Sequence, residues 1–92
     1  MSPSPFERYR GQNVVVDTRS PHITFLGRLE EIAEGGLLLR DADVHDADQS
    51  RTPREVYVME THKHGVKVNR KEVLVRLEEV VSVSRLEDVV VY

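Results

Sequence analysis

The sequence predicts a mainly β protein in which a short N-terminal helix precedes a strongly bent, five-stranded antiparallel sheet that forms a small, partly open barrel. Two observations predict this fold class. Valine is the most common residue from position 12 onward, and its stiff, β-branched side chain favours a pleated strand. Short segments of alternating apolar and polar residues are separated by turns rich in glycine, proline and polar residues, as in consecutive hairpins.

The chain length predicts a single domain, residues 1–92. A domain of this size buries only about 60–65% of its unfolded surface, so its core is small. The sequence has no cysteine, which excludes disulfides, thiolate nucleophiles and cysteine-ligated metal clusters. Assembly of several copies is therefore the expected additional source of burial.

Residues 4–11 carry the local signals of a short helix. Ser4 is the expected N-cap, Pro5 is the first helical residue and Glu7 is the second half of a capping box. Gly11 is expected to end the helix. A helix would place Phe6 and Tyr9 on one face, where they could cover the open end of the barrel.

The barrel is expected to span about residues 12–87. Its strands are predicted from alternation at Asn13–Thr18, Ile23–Ile32, Leu37–Val44, Glu72–Leu77 and Val80–Leu86. Gly27 stands in the apolar phase of its strand, where a missing side chain permits sharp bending or close backbone approach. Glu34-Gly35-Gly36 predicts a tight hairpin turn, because glycine tolerates positive φ. Residues 88–92 are expected to form an edge strand or a tail.

The segment between the third and fourth of these strands is expected to add a hairpin. Residues 46–53 are polar and end in proline, which predicts a surface loop. Glu55–Thr61 and Val66–Asn69 alternate on either side of His62-Lys63-His64-Gly65. Two further short strands joined at that tip are therefore predicted.

The order of these elements and two short motifs resemble the Sm and Sm-like (LSm) protein family, of which this chain would be a divergent member. The first motif has a valine strand, a Gly-x-Leu, an apolar residue, a tight turn and an apolar run that ends in an acidic-Ala pair. The matching residues are Val14-Val15-Val16, Gly27-Arg28-Leu29, Ile32, Gly36-Leu37-Leu38-Leu39 and Asp41-Ala42. The second motif, apolar-apolar-Arg-Gly with a following valine, resembles Leu74-Val75-Arg76-Leu77-Glu78-Glu79-Val80.

The resemblance implies a ring, commonly of six or seven copies, in which the fourth strand of one copy pairs with the fifth strand of the next. It also implies a pocket in which a base of single-stranded RNA stacks, and Gly36 and Arg76 are the matching positions. The family's turn Asn and the Gly after its Arg are absent, with Leu77 at the second position. A uridine-type pocket is therefore weakened or rebuilt. Arg76 beside Glu78 also fits a solvated ion pair.

The net charge of −3 conceals two segments of opposite sign. Between Arg28 and Asp48 there are seven acidic and two basic residues, whereas between Arg51 and Arg76 there are seven basic and three acidic residues. The overall charge argues against a protein that coats nucleic acid by bulk attraction, although a local basic surface is compatible with RNA binding. Such charge runs are also typical of a plain solvated surface.

The ends and the composition of the chain predict its compartment. The N-terminal residues lack the basic region and apolar stretch of a signal peptide. No apolar run approaches the roughly 18–20 residues of a membrane span. A cytoplasmic protein is therefore expected, in keeping with the absence of cysteine.

The sequence predicts no metal site and no cofactor. His62 and His64 flank Lys63 without a third ligand at a suitable spacing, so a polar turn is expected there. A run of aspartates lacks the glycine and closing glutamate of a calcium loop; these residues are Asp41, Asp43, Asp46 and Asp48.

The sequence also predicts no enzyme. Ser82 and Ser84 alternate on a predicted strand without a glycine-rich elbow or an oxyanion loop. Glu30-Glu31 and Glu78-Glu79 place consecutive carboxylates on opposite faces of a strand, which does not suit a paired acid and base.

Three functions are open from the sequence. The first is a ring-forming Sm-like protein that binds single-stranded RNA, and the second is a homo-oligomeric assembly or scaffold module of the same fold that does not bind RNA. The third is an adaptor with another small barrel, such as an SH3-like one, and no ring. Convergence of Gly36 and Arg76 with stacking side chains at the inner rim of a ring favours RNA binding, whereas an acidic rim favours the scaffold.

Overall fold

The computed structural model describes residues 4–91, in which five strands form one antiparallel sheet. The strands are β1 (Asn13–Thr18), β2 (Ile23–Ala33), β3 (Gly36–Asp46), β4 (Arg70–Arg76) and β5 (Val80–Arg85). Their order in the sheet is β4-β3-β2-β1-β5, so β4 and β5 are the two edges and the sheet does not close. Register shifts in the β1–β5 and β2–β3 pairs interrupt the regular ladder. The predicted mainly β, five-stranded antiparallel fold is thus confirmed.

The alternation of apolar residues predicted the first and last residues of all five strands to within two residues. The predicted bounds of β1 are those observed, and β2 and β3 are slightly longer than expected. The predicted hairpin turn lies at Glu34–Gly35, between β2 and β3. A short 3₁₀ turn, Leu86–Asp88, follows β5, and no strand is found at residues 89–91; Tyr92 lies outside the described residues.

The predicted N-terminal helix over residues 4–11 is wrong in length and type, because only a 3₁₀ turn at Glu7–Tyr9 forms. Ser4 is not the N-cap of this turn, since that position is Phe6, although the Ser4 hydroxyl accepts a hydrogen bond from the Phe6 amide at 3.2 Å. Gly11 has a φ of +81°, so the chain turns away there. A segment of eight residues is too short to repay the cost of nucleating an α-helix.

The predicted hairpin between β3 and β4 is also wrong, because the segment forms an α-helix, α1 (Arg54–His64). The expected strand Glu55–Thr61 and the expected tip at His62–Gly65 belong to this helix and its C-terminal end. The Gly65 amide bonds the Thr61 carbonyl at 2.8 Å, and Gly65 has a φ of +89°. Val66–Asn69 precedes β4 without forming a strand of its own, apart from an amide bond from Asn69 to the Ala42 carbonyl at 2.9 Å.

Helix α1 explains why three consecutive valines of β1 are all buried. Val14 and Val16 face the main core, whose other members are Leu29, Leu37, Leu39, Ala42 and Val75. Val15 faces the opposite side of the sheet and packs in a second core with Leu26, Val58 and Leu86. Val58 belongs to α1, so the helix covers a face of the sheet that would otherwise be exposed to solvent. Phe6 and Tyr9 pack against the main core.

Two local features let β2 and β3 approach each other closely in the main core. An added Cβ at Gly27 would lie 2.9 Å from the Ala42 Cα and 3.2 Å from the Arg40 carbonyl oxygen, so the position needs glycine. Asp41 has a φ of +49°, which interrupts the alternation of β3. Ala42 therefore joins Leu37 and Leu39 in the main core, although it does not share their spacing.

Helix α1 is held to the sheet by two buried or half-buried polar contacts. The Asp43 carboxylate, 2% exposed, accepts hydrogen bonds from the Tyr57 hydroxyl and from the Asn69 side-chain amide, the latter at 2.8 Å. The Tyr57 ring also stacks on His45 at 3.7 Å between ring centroids. At the start of α1, the Arg54 guanidinium pairs with Asp17 of β1, with the Nε atom 2.9 Å from the carboxylate.

Among residues 4–91, no helix combines the length and the apolar composition needed to cross a bilayer.

Gly27→Ala is expected to destabilise the fold by about 1–3 kcal/mol, because the new methyl group overlaps backbone and Cβ atoms of β3. Urea denaturation measures the free energy of unfolding. Gly35→Ala is the matched control, since a Cβ at Gly35 meets no atom within 4 Å. Equal stability of the two variants would contradict the close approach at Gly27.

Tyr57→Phe is expected to cost about 1.5–3 kcal/mol, because the buried Asp43 carboxylate loses a hydrogen-bond donor. Burial and then the bond to Asp43 raise the pKa of Tyr57 above its ordinary value of 10.0. The neutral phenol is thus favoured in the folded state, so its stabilisation is complete below about pH 10 and declines as pH rises above it.

Urea denaturation from pH 7 to pH 11 tests both the cost of Tyr57→Phe and its dependence on pH. The wild type should lose stability above pH 10 more steeply than Tyr57→Phe does. Tyr9→Phe is the control, and a fall in stability equal to that of Tyr57→Phe would contradict the specific role of the Asp43 contact.

Candidate functional site

The structure brings together the two residues that the sequence singled out for RNA binding. Gly36 begins β3 and Arg76 ends β4, and the two are direct cross-strand partners. The adjoining turns are joined as well, because the Leu77 amide bonds the Gly35 carbonyl at 3.0 Å. The β2–β3 turn and the β4–β5 turn therefore form one end of the sheet, which we call the turn end (residues 33–36 and 76–79).

Gly36 is required at the turn end for a packing reason. A Cβ at this position would lie 2.7 Å from the Val75 carbonyl oxygen and 3.0 Å from the Leu74 Cδ1 atom. The first of these neighbours is backbone and cannot move aside cheaply. The absence of a side chain therefore permits β4 to pair closely with β3.

The turn end is acidic apart from Arg76. The Arg76 guanidinium pairs with the carboxylate of Glu78, and both side chains are largely exposed. Glu34 and Glu79 are exposed in the same two turns. No aromatic residue occurs in residues 33–36 or 76–79, so these turns offer no ring on which a base could stack.

A cavity of about 250 Å³ lies beside the turn end. Its apolar wall consists of Ile23 and Phe25 from β2 and Leu74 and Val75 from β4, and Arg76 is at its border. The cavity thus adjoins the free edge strand β4.

Both edge strands expose a large apolar side chain. Leu74 on β4 is 56% exposed, and Val81 on β5 is 64% exposed. The edge strands lack a second hydrogen-bonded neighbour within the described part of the chain, so their outward backbone groups are available for pairing.

The other side chains considered for chemistry lie apart from the turn end. His62 and His64 are in the last turn of α1 rather than at a hairpin tip, and the structure does not bring them to a shared ligand. His62 Nδ1 is 2.8 Å from the Leu86 carbonyl oxygen, and His64 Nε2 is 3.6 Å from a Glu60 carboxylate oxygen. The two histidines therefore have separate structural partners.

The aspartates of β3 also separate into different environments. Asp43 is buried beneath Tyr57, and Asp41 pairs with Arg28 at 3.1 Å. The hydrogen bonds that Arg28 donates to Glu30 and then to Asp41 raise the pKa of Arg28 above its ordinary value. Asp46 and Asp48 lie with His22 so that one ligand atom from each is within 4.8 Å of the others.

That last grouping was not visible in the sequence, because His22 and the two aspartates are joined only by the pairing of β2 with the end of β3. His22 Nδ1 is 3.6 Å from an Asp48 carboxylate oxygen, which accounts for the proximity as an ion pair when His22 is protonated. The Asp46 carboxylate already accepts a bond from the Asp48 amide at 2.9 Å.

Both serines of β5 lie opposite residues of the neighbouring strand β1. The Ser82 hydroxyl donates a hydrogen bond to Asp17 at 3.0 Å, and the same carboxylate binds Arg54 of α1. Ser84 is exposed and lies opposite Val15 in the β1–β5 ladder. Ser82 therefore helps to hold β5, β1 and α1 together.

Comparisons with known proteins identify the fold. No protein-family model matches this sequence, and no curated protein matches it significantly. A Pyrococcus abyssi Sm protein, solved in complex with a uridine heptamer, superposes with a TM-score of 0.59 at 18% identity, over 90% of this chain and 99% of that chain.

The LSm domain of Dm EDC3 (enhancer of decapping 3) superposes with a TM-score of 0.54 at 15% identity, over 92% of this chain. This chain spans 65% of the length of that structure. Both identities are too low for sequence comparison alone to be informative, so these similarities concern the fold. The chain therefore has the Sm-like fold that its two motifs resemble.

Proposed function

We propose that this protein is a homo-oligomeric Sm-like assembly module whose copies form a ring by pairing β4 of one copy with β5 of the next. The observation that carries the proposal is the open sheet, whose two edges are β4 and β5. An edge strand presents unpaired N–H and C=O groups, and pairing two edges satisfies both rows at once. Since one edge of each copy meets the other edge of its neighbour, the contact is head-to-tail and closes into a ring at a suitable rotation.

The side chains of the two edges support this pairing. Leu74 on β4 and Val81 on β5 leave apolar surface exposed, and burying it is favourable. The cavity beside Leu74 and Phe25 offers additional apolar surface at the same edge. A chain of 92 residues with a small core gains burial by assembling in this way.

Light scattering coupled to gel filtration tests the assembly. We expect a mass of six or seven times the 10.6 kDa chain mass. Leu74→Lys and Val81→Lys should each shift the complex toward monomers, because each places a charge in the apolar contact.

The matched control is Val90→Lys, which introduces the same charge at an exposed valine of the C-terminal tail, 71% exposed. Val90→Lys should retain the wild-type mass. A monomeric wild type would overturn the assembly, and equal dissociation of all three variants would contradict the role of the edges.

Single-stranded RNA binding at the turn end is the second candidate function. It is favoured by the direct pairing of Gly36 with Arg76 and by the uridine heptamer in the complex of the Sm protein with a similar fold. Arg76 supplies the positive charge of this candidate site, and its planar guanidinium group can donate several hydrogen bonds to a base or a phosphate. The pairing of Arg76 with Glu78 and the exposed Glu34 and Glu79 oppose binding, so a weak, salt-sensitive interaction is expected.

Glu78→Gln is expected to strengthen the binding of fluorescently labelled oligouridine several-fold at low salt, because it frees Arg76 and removes a negative charge. Arg76→Ala should weaken binding. Fluorescence anisotropy measures both effects, with oligoadenosine for comparison. Glu60→Gln on α1 is a control that removes one exposed carboxylate elsewhere. If neither Glu78→Gln nor Arg76→Ala changes the affinity for RNA, this candidate function is rejected. Assembly without RNA binding at the turn end then remains.

A further inference from the structure

Three metal-ligating side chains converge where β2 begins and β3 ends. They are His22, in the turn before β2, Asp46, the last residue of β3, and Asp48, in the loop that follows β3. One ligand atom from each lies within 4.8 Å of the other two. Within residues 4–91, this is the one set of three histidine or acidic side chains that meets this condition, and we call it the His22 cluster.

The His22 cluster offers one imidazole nitrogen together with two carboxylates. Ca²⁺ and Mg²⁺ prefer ligand sets made of oxygen atoms alone. A mixed set of imidazole nitrogen and carboxylate oxygen instead suits a divalent transition metal, and Zn²⁺ in particular binds three such protein ligands and one water. The residue types therefore indicate Zn²⁺ rather than a general attraction of cations to acidic groups.

The spacing of the His22 cluster is close to the spacing of ligands around zinc. The Nδ1 atom of His22 is 3.6 Å from an Asp48 carboxylate oxygen. Two ligands at 2.0–2.1 Å from a tetrahedral Zn²⁺ are about 3.4 Å apart. The observed distance exceeds the usual hydrogen-bond range of about 2.7–3.2 Å, and the ion pair of His22 with Asp48 exists only while His22 is protonated. A neutral imidazole therefore presents a lone pair that a metal can use.

Backbone hydrogen bonds hold the three positions of the His22 cluster together. The His22 carbonyl accepts a bond from the Ala47 amide at 2.8 Å, and the Asp46 carbonyl accepts one from the Gln49 amide at 3.0 Å. The Oδ1 atom of Asp46 accepts a bond from the Asp48 amide at 2.9 Å, which leaves Oδ2 for a metal. Because these bonds fix the turn and the loop, metal binding needs little further ordering of the chain.

The two carboxylates of the His22 cluster are not neutralised by lysine or arginine. In residues 4–91, no lysine or arginine nitrogen lies within 4.0 Å of a carboxylate oxygen of Asp46 or Asp48. By contrast, the carboxylates of Asp17 and Asp41 each pair with an arginine. A divalent cation between Asp46 and Asp48 would offset the repulsion between these two negative charges.

A second pair of a histidine and a carboxylate, on α1, provides an internal comparison. The Nε2 atom of His64 is 3.6 Å from a Glu60 carboxylate oxygen, the same distance as in the pair of His22 with Asp48. No third ligand-bearing side chain joins His64 and Glu60 among the described residues. Since a zinc site needs at least three protein ligands, His64 and Glu60 are expected to hold no metal.

We propose that the His22 cluster is a Zn²⁺-binding site, with His22 Nδ1 and the carboxylates of Asp46 and Asp48 as ligands and a water at the fourth position. The side chains of His22 and Asp48 are 40% and 71% exposed, so the ion enters directly from solvent. The inference goes beyond the proposed function, because it requires neither a ring nor RNA. The cluster contains no residue of β4 or β5, so this proposal and the proposed assembly can fail independently.

The test is isothermal titration calorimetry, in which ZnCl₂ is added at pH 7.5 to protein that has been treated with a chelator and dialysed. We expect one Zn²⁺ per chain and much weaker binding of MgCl₂. His22→Ala and Asp48→Asn should each weaken zinc binding at least about tenfold, since loss of a group that merely orients a ligand already costs about 10–100-fold.

His64→Ala is the matched control, because it removes the histidine of the pair that lacks a third ligand. It should bind zinc within about twofold of the wild type. Absence of zinc binding, equal weakening by His22→Ala and His64→Ala, or Mg²⁺ binding as tight as that of Zn²⁺ would each overturn the proposal. Circular dichroism checks that each variant is folded.

Nuclear magnetic resonance of the imidazole nitrogens identifies the ligand in the wild type without any substitution. Zn²⁺ should shift the Nδ1 resonance of His22 and leave those of the other three histidines unchanged; these are His45, His62 and His64. Zinc should also raise the urea midpoint of the wild type but not that of His22→Ala, because a ligand that binds only the folded state stabilises it. An unshifted His22 resonance, or an equal shift of His64, would overturn the proposal.

Discussion

The buried carboxylate of Asp43 is the interaction on which the arrangement of this molecule depends. It accepts hydrogen bonds from Tyr57 of α1 and from Asn69, which lies just before β4. A carboxylate that is 2% exposed is costly unless its oxygens are satisfied, so the helix and the segment before β4 must stay where their donors reach it. One anion of β3 thereby holds two segments that lie outside the sheet, and α1 in turn covers the second core around Val15.

The sheet is open, with β4 and β5 as its free edges, and each edge strand carries an exposed apolar side chain. Helix α1 covers the sheet face that carries Val15 rather than an edge. Both edge strands therefore remain accessible for the proposed pairing between copies.

Much of the sheet could be predicted from the sequence because its signals are local. A period of two marks a strand wherever one face is buried, and glycine at position 27 marks a close approach whatever the partner is. The resemblance of the two motifs assigned Gly36 and Arg76 to one expected pocket, which is long-range information that alternation does not carry, and the structure pairs the two residues directly. The N-terminal segment shows the limit of local signals, since its capping residues are present but too few residues follow to sustain an α-helix.

By itself, the sequence determined the five strands and their positions along the chain, because alternation and glycine spacing are local signals, and its two motifs resembled the Sm-like fold. Only the tertiary structure decided that residues 54–64 form a helix rather than a strand. Val56, Tyr57 and Val58 favour a strand by propensity, whereas Pro53, Gly65 and the basic last turn favour a helix. The helix wins because it buries Val58 against Val15 and brings the Tyr57 hydroxyl to Asp43, contacts that exist only after the sheet has formed.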